Sequence, residues 1–162
     1  MKLPVASVSV TLNEIPNHIA VAIELGNCKQ KCAGCHSPWL SIPLRKQNWT
    51  ELETIMRHVN EQVKKGANAI VIMGGTHNGV PTDDLISAIN ILSCYAPVGL
   101  YSGLTDEAPI HQHLKNSSKL KWLKTGGFVM KLGGLTSPRT NQRFYERQDD
   151  NTWEDKTKLF QR

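Results

Sequence analysis

His18-Ile19-Ala20-Val21-Ala22-Ile23-Glu24-Leu25-Gly26-Asn27-Cys28-Lys29-Gln30-Lys31-Cys32-Ala33-Gly34-Cys35-His36-Ser37-Pro38 is a mostly apolar run that leads straight into three cysteines. Its first eight residues read as a strand of the kind buried on both faces in a parallel sheet, where strict alternation is lost. In open α/β sheets and βα barrels, ligands bind at the C-terminal ends of strands, so the loop after Leu25 is where a site belongs. Three of the four cysteines of the chain fall in that loop, spaced C-x3-C-x2-C. Thiolates are soft ligands, and three on one short loop can reach three corners of an iron–sulfur cube, leaving one iron open. A structural zinc site is the competing reading, with Cys94, His18 or His58 completing the tetrahedron. Zinc knuckles normally present two separated ligand pairs, and no second pair is visible, so the spacing favours the cluster. A disulfide framework is disfavoured further, because three neighbouring cysteines cannot all pair locally.

Outward from that loop the pattern alternates. Residues 6–12 alternate weakly and suit a short edge strand, and the Pro and Asn content of 13–17 marks a turn. Thr50 to Lys65 is the clearest helix: Leu52, Ile55, Met56, Val59 and Val63 share one face, and Gly66 stands at the cap. Ala69-Ile70-Val71-Ile72-Met73 reads as a buried strand, followed by a second helix opened by Pro81 with Asp83 and Asp84 near its positive end. A strand at Val98–Tyr101, a short helix within 105–115 and a strand at 120–124 continue the series. This alternation predicts an α/β fold with a mainly parallel sheet. At typical connection lengths there is room for about four or five βα units, too few for a closed eightfold barrel, so an open, partial (β/α) barrel is expected.

With 162 residues the chain is expected to form one domain over 1–147, followed by a polar, frayed tail over 148–162. No stretch approaches the ~20 apolar residues of a membrane span, and Met1–Val5 opens no secretory signal, so a cytoplasmic protein with reduced thiols is expected. The net charge of +5 comes from the C-terminal part of the chain, where Lys119–Arg162 carries 10 Lys/Arg against 5 Asp/Glu. Its basic residues follow no helical stripe and accompany no recognition motif, so nucleic acid is not an expected partner. Gly74-Gly75 closes an apolar strand and lets a ligand approach the backbone, and Tyr101-Ser102-Gly103 ends the next strand on the same side. A lysine does not follow the glycines, so this is no phosphate loop. Cys94, expected in the outer helix, reads as an inert small hydrophobe.

The cysteine spacing resembles that of the radical S-adenosylmethionine (SAM) enzymes. The resemblance implies a shortened core of that fold and a [4Fe-4S] cluster held by Cys28, Cys32 and Cys35. It further implies SAM on the open iron, cleaved by one electron to methionine and a 5′-deoxyadenosyl radical. Gly34 and His36, beside the third cysteine, would lie against the adenine, and Gly74, Gly75, Tyr101 and Ser102 would complete the cofactor contacts. Thr76 stands where the family carries an acidic residue that holds the methionine amino group. A hydroxyl brings no charge, so that contact should be weaker, with Asp83 or Asp84 as candidates to compensate.

Leu12-Asn13-Glu14-Ile15-Pro16, Cys35-His36-Ser37-Pro38, Met73-Gly74-Gly75, Tyr101-Ser102-Gly103, Leu132-Gly133-Gly134-Leu135-Thr136-Ser137-Pro138 and Asn141-Gln142-Arg143-Phe144-Tyr145 narrow the likeness. Together they are similar to the activating proteins of anaerobic (class III) ribonucleoside-triphosphate reductases. That subgroup implies removal of a glycine Cα hydrogen from the reductase, with a one-electron donor such as flavodoxin. The basic C-terminal region, Arg139 and Arg143 included, is the candidate docking face. The rival expectations are another radical SAM enzyme, either a different glycyl-radical activase or a small-molecule enzyme like the 7-carboxy-7-deazaguanine synthases. A zinc-binding interaction module and a homologue that holds the cluster without turnover are the others.

Overall fold

The computed structural model describes residues 1–30, 32 and 38–161. Gly34, Cys35 and His36 lie outside the described residues, and the expectations for them stay with the sequence. The chain begins with β1 (Lys2–Leu3), β2 (Val5–Thr11) and β3 (Ala20–Leu25), and passes through short 3-10 turns at Pro38–Ser41 and Lys46–Asn48. It continues with β4 (Thr50–Glu51), α1 (Leu52–Lys64), β5 (Ala69–Met73), α2 (Thr82–Leu92), β6 (Val98–Tyr101), α3 (Pro109–Ser117) and β7 (Trp122–Thr125). Two further strands, β8 (Arg143–Arg147) and β9 (Trp153–Asp155), precede a last 3-10 turn at Thr157–Phe160.

Seven of these strands make one sheet in the order β2-β3-β5-β6-β7-β8-β9, and β1 pairs with β4 beside it. The inner pairings β3-β5, β5-β6 and β6-β7 are parallel, whereas β2, β8 and β9 join antiparallel. The fold is therefore α/β with an open, mixed sheet whose core is parallel. Three helices connect the four parallel strands among the described residues, fewer than the four or five βα units that length alone allowed. The remaining chain went instead into the antiparallel strands.

Side chains divide the sheet into two unlike faces because successive strand residues point opposite ways. Val21, Ile23, Leu25, Ile70, Ile72, Val98, Leu100 and Leu123 meet Leu52, Ile55 and Val59 of α1, Leu85, Ala88, Ile89 and Leu92 of α2, and Leu114 of α3 in one buried cluster. Each such fully buried Leu or Ile contributes roughly 1.5–3 kcal/mol. The opposite face carries the smaller Ala20, Ala22, Ala69 and Val71, covered by Ile15, Trp122 and Phe144 rather than by a helix. Gly66 ends α1 at φ 116°, the left-handed cap expected from sequence.

The end of the chain corrects the sequence reading. Residues 148–161 are not frayed: β9 pairs with β8 through Tyr145↔Asp155, Glu146↔Glu154 and Arg147↔Trp153. The Trp153 ring takes the Arg147 guanidinium at 4.7 Å, and Phe160 packs edge-on to Phe144 at 4.9 Å. Thr157 accepts the Phe144 N–H at 2.9 Å. Two aromatic side chains and one hydroxyl anchor a segment whose charged composition suggested none. Cys94 lies just beyond α2 and is exposed, not within the helix. Among the described residues no helix is long and apolar enough to cross a membrane.

Candidate functional site

The strand ends are fixed before any functional side chain is placed. Backbone bonds from Gly74 N–H to the Tyr101 carbonyl (2.9 Å), Ser102 N–H to the Lys124 carbonyl (2.8 Å) and Gly126 N–H to the Leu104 carbonyl (2.7 Å) register β5, β6 and β7 past their last paired residues. The start of the cysteine loop is stapled in the same way. Asn27, at φ 61°, donates through Nδ2 to the Leu44 carbonyl at 3.2 Å and accepts the Leu44 N–H at 2.5 Å. Cys28 N–H donates to the Leu40 carbonyl at 2.8 Å.

Asn78, 1% exposed, joins these two parts. Its Oδ1 accepts the Gly75 N–H at 2.7 Å, while Nδ2 donates to the Gly26 carbonyl at 2.6 Å and the Leu25 carbonyl at 3.4 Å. The turn after β5 is thereby tied to the foot of the cysteine loop. Gly74 makes this possible: its φ is +109°, and a Cβ there would stand 2.9 Å from Asn78 Oδ1. Gly74→Ala is expected to cost about 1–3 kcal/mol through backbone strain and displacement of that amide. Urea unfolding reads it directly.

A cavity of about 280 Å³ opens above the ends of β3, β5, β6 and β7. Cys28, Cys32, Gly74, Tyr101 and Ser102 line it together, five of the residues singled out in the sequence. Leu25, Leu40, Met73 and Phe128 make its apolar wall. The arrangement at Gly103 and Gly127 leaves room beside the donors. A Cβ on Gly127 would stand 3.3 Å from Cys32 Sγ, and one on Gly103 would stand 3.0 Å from His77 Cε1.

Two of the expected contacts are not on its lining. Gly75 does not line the cavity, and its α-carbon faces Leu85. Thr76 does not line it either; its hydroxyl lies 2.9 Å from Ser102 Oγ and 3.0 Å from His77 Nδ1. Gly75 and Thr76 thus stand off the lining, with their neighbours inside the fold. Asp83 and Asp84 lie in the first turn of α2 and do not line the cavity. The histidines weighed for a zinc tetrahedron are elsewhere too. His18 stacks edge-on to Trp122 at 4.9 Å, and His58 is exposed on α1.

His77, Asn78, Lys124 and His111 were not singled out from the sequence. Lys124 Nζ donates to the Gly126 carbonyl at 2.8 Å and lies 5.6 Å from the Tyr101 ring centre, placing a cation on the cavity lining. Tyr101 donates its phenol to the Glu14 carbonyl, and burial, then Glu14, holds its pKa well above the ordinary value. His77 Nε2 stands 3.3 Å from Cys28 Sγ. Burial, reinforced by Lys124, lowers the His77 pKa.

His111, 2% exposed, closes the row of polar groups beneath the cavity. Its Nδ1 reaches the Asp106 carbonyl at 3.2 Å and its Nε2 reaches Ser102 Oγ at 2.7 Å. A carbonyl only accepts, so Nδ1 carries the hydrogen and Nε2 receives the Ser102 hydroxyl. Asp106 is itself held by Thr125 at 2.7 Å and by Tyr145 at 2.8 Å, whose phenol is pushed up by burial and by that carboxylate. Burial outweighs the opposing Asp106 carbonyl and carboxylate and lowers the His111 pKa. A depressed folded value means that the unfolded chain binds the proton first as pH falls. Stability is then complete above about pH 6.5 and declines below it, through the folded value. The melting midpoint is expected to fall between about pH 7.5 and about pH 5.5, and to fall less in His111→Gln.

Among the described residues no group of three or more His, Cys, Asp or Glu side chains is arranged to hold a metal ion. Cys35, the third thiol of the loop, is outside them. Comparison with protein-family models, with curated proteins and with solved structures gives no match.

Proposed function

We propose that the chain is a radical SAM activase for the glycyl-radical subunit of an anaerobic ribonucleoside-triphosphate reductase. The observation that carries this reading is the meeting of Cys28 and Cys32 with Gly74, Tyr101 and Ser102 in one cavity at the parallel strand ends. On this reading the open sheet, helices on one face and a hollow on the other, is a partial (β/α) barrel. The donor set suits the cluster: thiolates are its usual ligands, and the glycines at 103 and 127 leave space beside Cys32 and His77. Cys28 and Cys32, with Cys35, would hold a [4Fe-4S] cluster, which when bound supplies one-electron reductive cleavage of SAM.

The chain's own part is binding, orientation and exclusion of water. Gly74 lets the cofactor approach the backbone, and Lys124 offers a positive charge for its carboxylate. The apolar wall of Leu25, Leu40, Met73 and Phe128 lowers the local polarity and keeps solvent from a reactive radical. Position 76 carries a hydroxyl and not an acid, so SAM affinity is expected to rest more heavily on the iron. The substrate glycine must arrive on a mobile segment of the reductase, with flavodoxin or a similar protein as electron donor.

The test is 5′-deoxyadenosine release from anaerobically reconstituted, reduced protein given SAM, with and without a candidate reductase. Product whose yield follows the reductase supports the activase. Product from a small molecule without any protein partner would favour a radical enzyme of the deazaguanine type. Colourless protein with one zinc and no sulfide overturns the radical reading.

A further inference from the structure

Of the described residues on the cavity lining, Glu14 is the sole acid and Lys124 the sole lysine or arginine. Glu14 comes from the turn between β2 and β3, far along the chain from positions 76, 83 and 84, none of which lines the cavity. That turn is fixed on both sides of the residue. Ile15 is fully buried, its Cδ1 2.9 Å from where a Cβ on Gly99 would stand, and its carbonyl accepts the His18 N–H at 3.1 Å. Tyr101 donates its phenol hydrogen to the Glu14 carbonyl. The backbone at position 14 is therefore held in place before any ligand arrives, and binding need not order it.

Both charges stand beside Tyr101. Burial and then the Glu14 charge raise its pKa, which puts the carboxylate as well as the carbonyl near the phenol. Lys124 Nζ lies 5.6 Å from the ring centre and is anchored on the Gly126 carbonyl at 2.8 Å. Among the described residues no ion pair takes Glu14, and a carboxylate can only accept, so it calls for a donor from the ligand. A charge beside an apolar wall is costly unless it is paired. A purely anionic ligand would suit Lys124 and be repelled by Glu14, and a purely cationic one would meet the reverse. A ligand with an amino group and a carboxylate on one carbon satisfies both. That chemistry is the α-amino acid end of a small molecule.

We propose that Glu14 is a binding residue of the cavity: it accepts from the amino group of an α-amino acid end whose carboxylate faces Lys124. This rests on the function proposed above, in which the ligand that carries such an end is SAM. The acid absent from position 76 is on this account supplied by the turn before β3.

The experiment is equilibrium dialysis of SAM against the reconstituted, oxidised protein, which binds without turnover, in wild type and in Glu14→Gln. Glutamine keeps the length of the side chain and leaves the backbone carbonyl to Tyr101. SAM is expected to bind the variant about tenfold more weakly, equivalent to about 1.4 kcal/mol. 5′-Methylthioadenosine, which lacks the amino acid end, should bind both proteins alike. A SAM analogue with hydrogen in place of the α-amino group should bind the variant no less tightly than wild type. Removing the amino group then costs about tenfold less in Glu14→Gln than in wild type. Glu14→Asp, which keeps the charge on a shorter stem, should recover part of the SAM affinity. Equal SAM affinity in wild type and Glu14→Gln, or an equal loss for SAM and for the two ligands without an amino group, overturns the proposal while leaving the radical reading intact. A wild-type protein that takes up no iron and sulfide overturns the radical reading, and this proposal with it.

Discussion

Cys32→Ala is expected to release no 5′-deoxyadenosine above background, even when the protein is reconstituted with iron and sulfide and supplied with reductant and SAM. The reason is arithmetic in the ligands. On the proposed function, a cubane offers four irons, the loop offers three thiolates, and SAM would need the remaining one. Removing a thiolate leaves two open irons and a cluster with only two protein anchors. Cys32 lines the cavity and sits beside the hollow at Gly127, where no other cysteine side chain stands in reserve among the described residues. Iron and sulfide content measured on the same sample separates loss of the cluster from loss of turnover. A fully active Cys32→Ala protein would sink the assignment, since neither zinc nor a two-thiol site explains it.

Asn78→Leu should be the most damaging single change to stability that leaves every cysteine in place. The leucine matches the amide in bulk but pairs with nothing, so the Gly75 N–H and the Leu25 and Gly26 carbonyls lose a partner at once. Each buried group left unpaired costs about 1–3 kcal/mol, and partial access of water trims the sum, so a loss of about 3–5 kcal/mol is expected. Urea or thermal unfolding of the metal-free chain measures it. A change below about 1 kcal/mol would mean that these groups find other partners, and that the turn after β5 is not tied to the cysteine loop through Asn78.

The parallel core was legible because burial wrote it into composition. Ala69–Met73 is apolar on both faces, α1 carries its stripe at helical spacing, and Gly66 and Pro81 punctuate the ends of helices. What pairs with what at the end of the chain was not legible. Arg143–Arg147 and Trp153–Asp155 are strands whose charged residues suggested solvent, and only the placing of Trp153 and Phe160 over neighbouring rings and cations makes them stable. Propensity is local, whereas such contacts join residues far apart in the chain.

The site divides along the same line. Clustered thiols and a glycine pair after an apolar strand are local patterns, and Cys28, Cys32, Gly74, Tyr101 and Ser102 do share a cavity. The roles of His77, Asn78 and His111 depend on contacts across |i−j| of 49, 52 and 9, which no reading of neighbours along the chain reveals. One signal was present at positions 76–78. Three polar residues in succession after a buried strand require partners, and asking where those partners lie would have directed attention to Ser102 and to the base of the cysteine loop.

The order of the strands also bears on how the protein is made. From β2 to β9 every strand of the large sheet lies beside the next one in sequence that joins it, so the sheet can grow by addition at one margin as synthesis proceeds. The cysteines and the strands beneath them emerge early, whereas Phe128, Leu135 and Phe160, which wall the cavity from the other side, emerge late. At about 5–20 residues per second, the stretch from β7 onward takes roughly 2–8 s to appear. For that interval the nascent chain presents Cys28 and Cys32 in a half-built pocket, open to oxidants and, on the proposed function, equally open to a carrier of iron and sulfide. Access for loading and vulnerability to damage are thus set by the same late arrival.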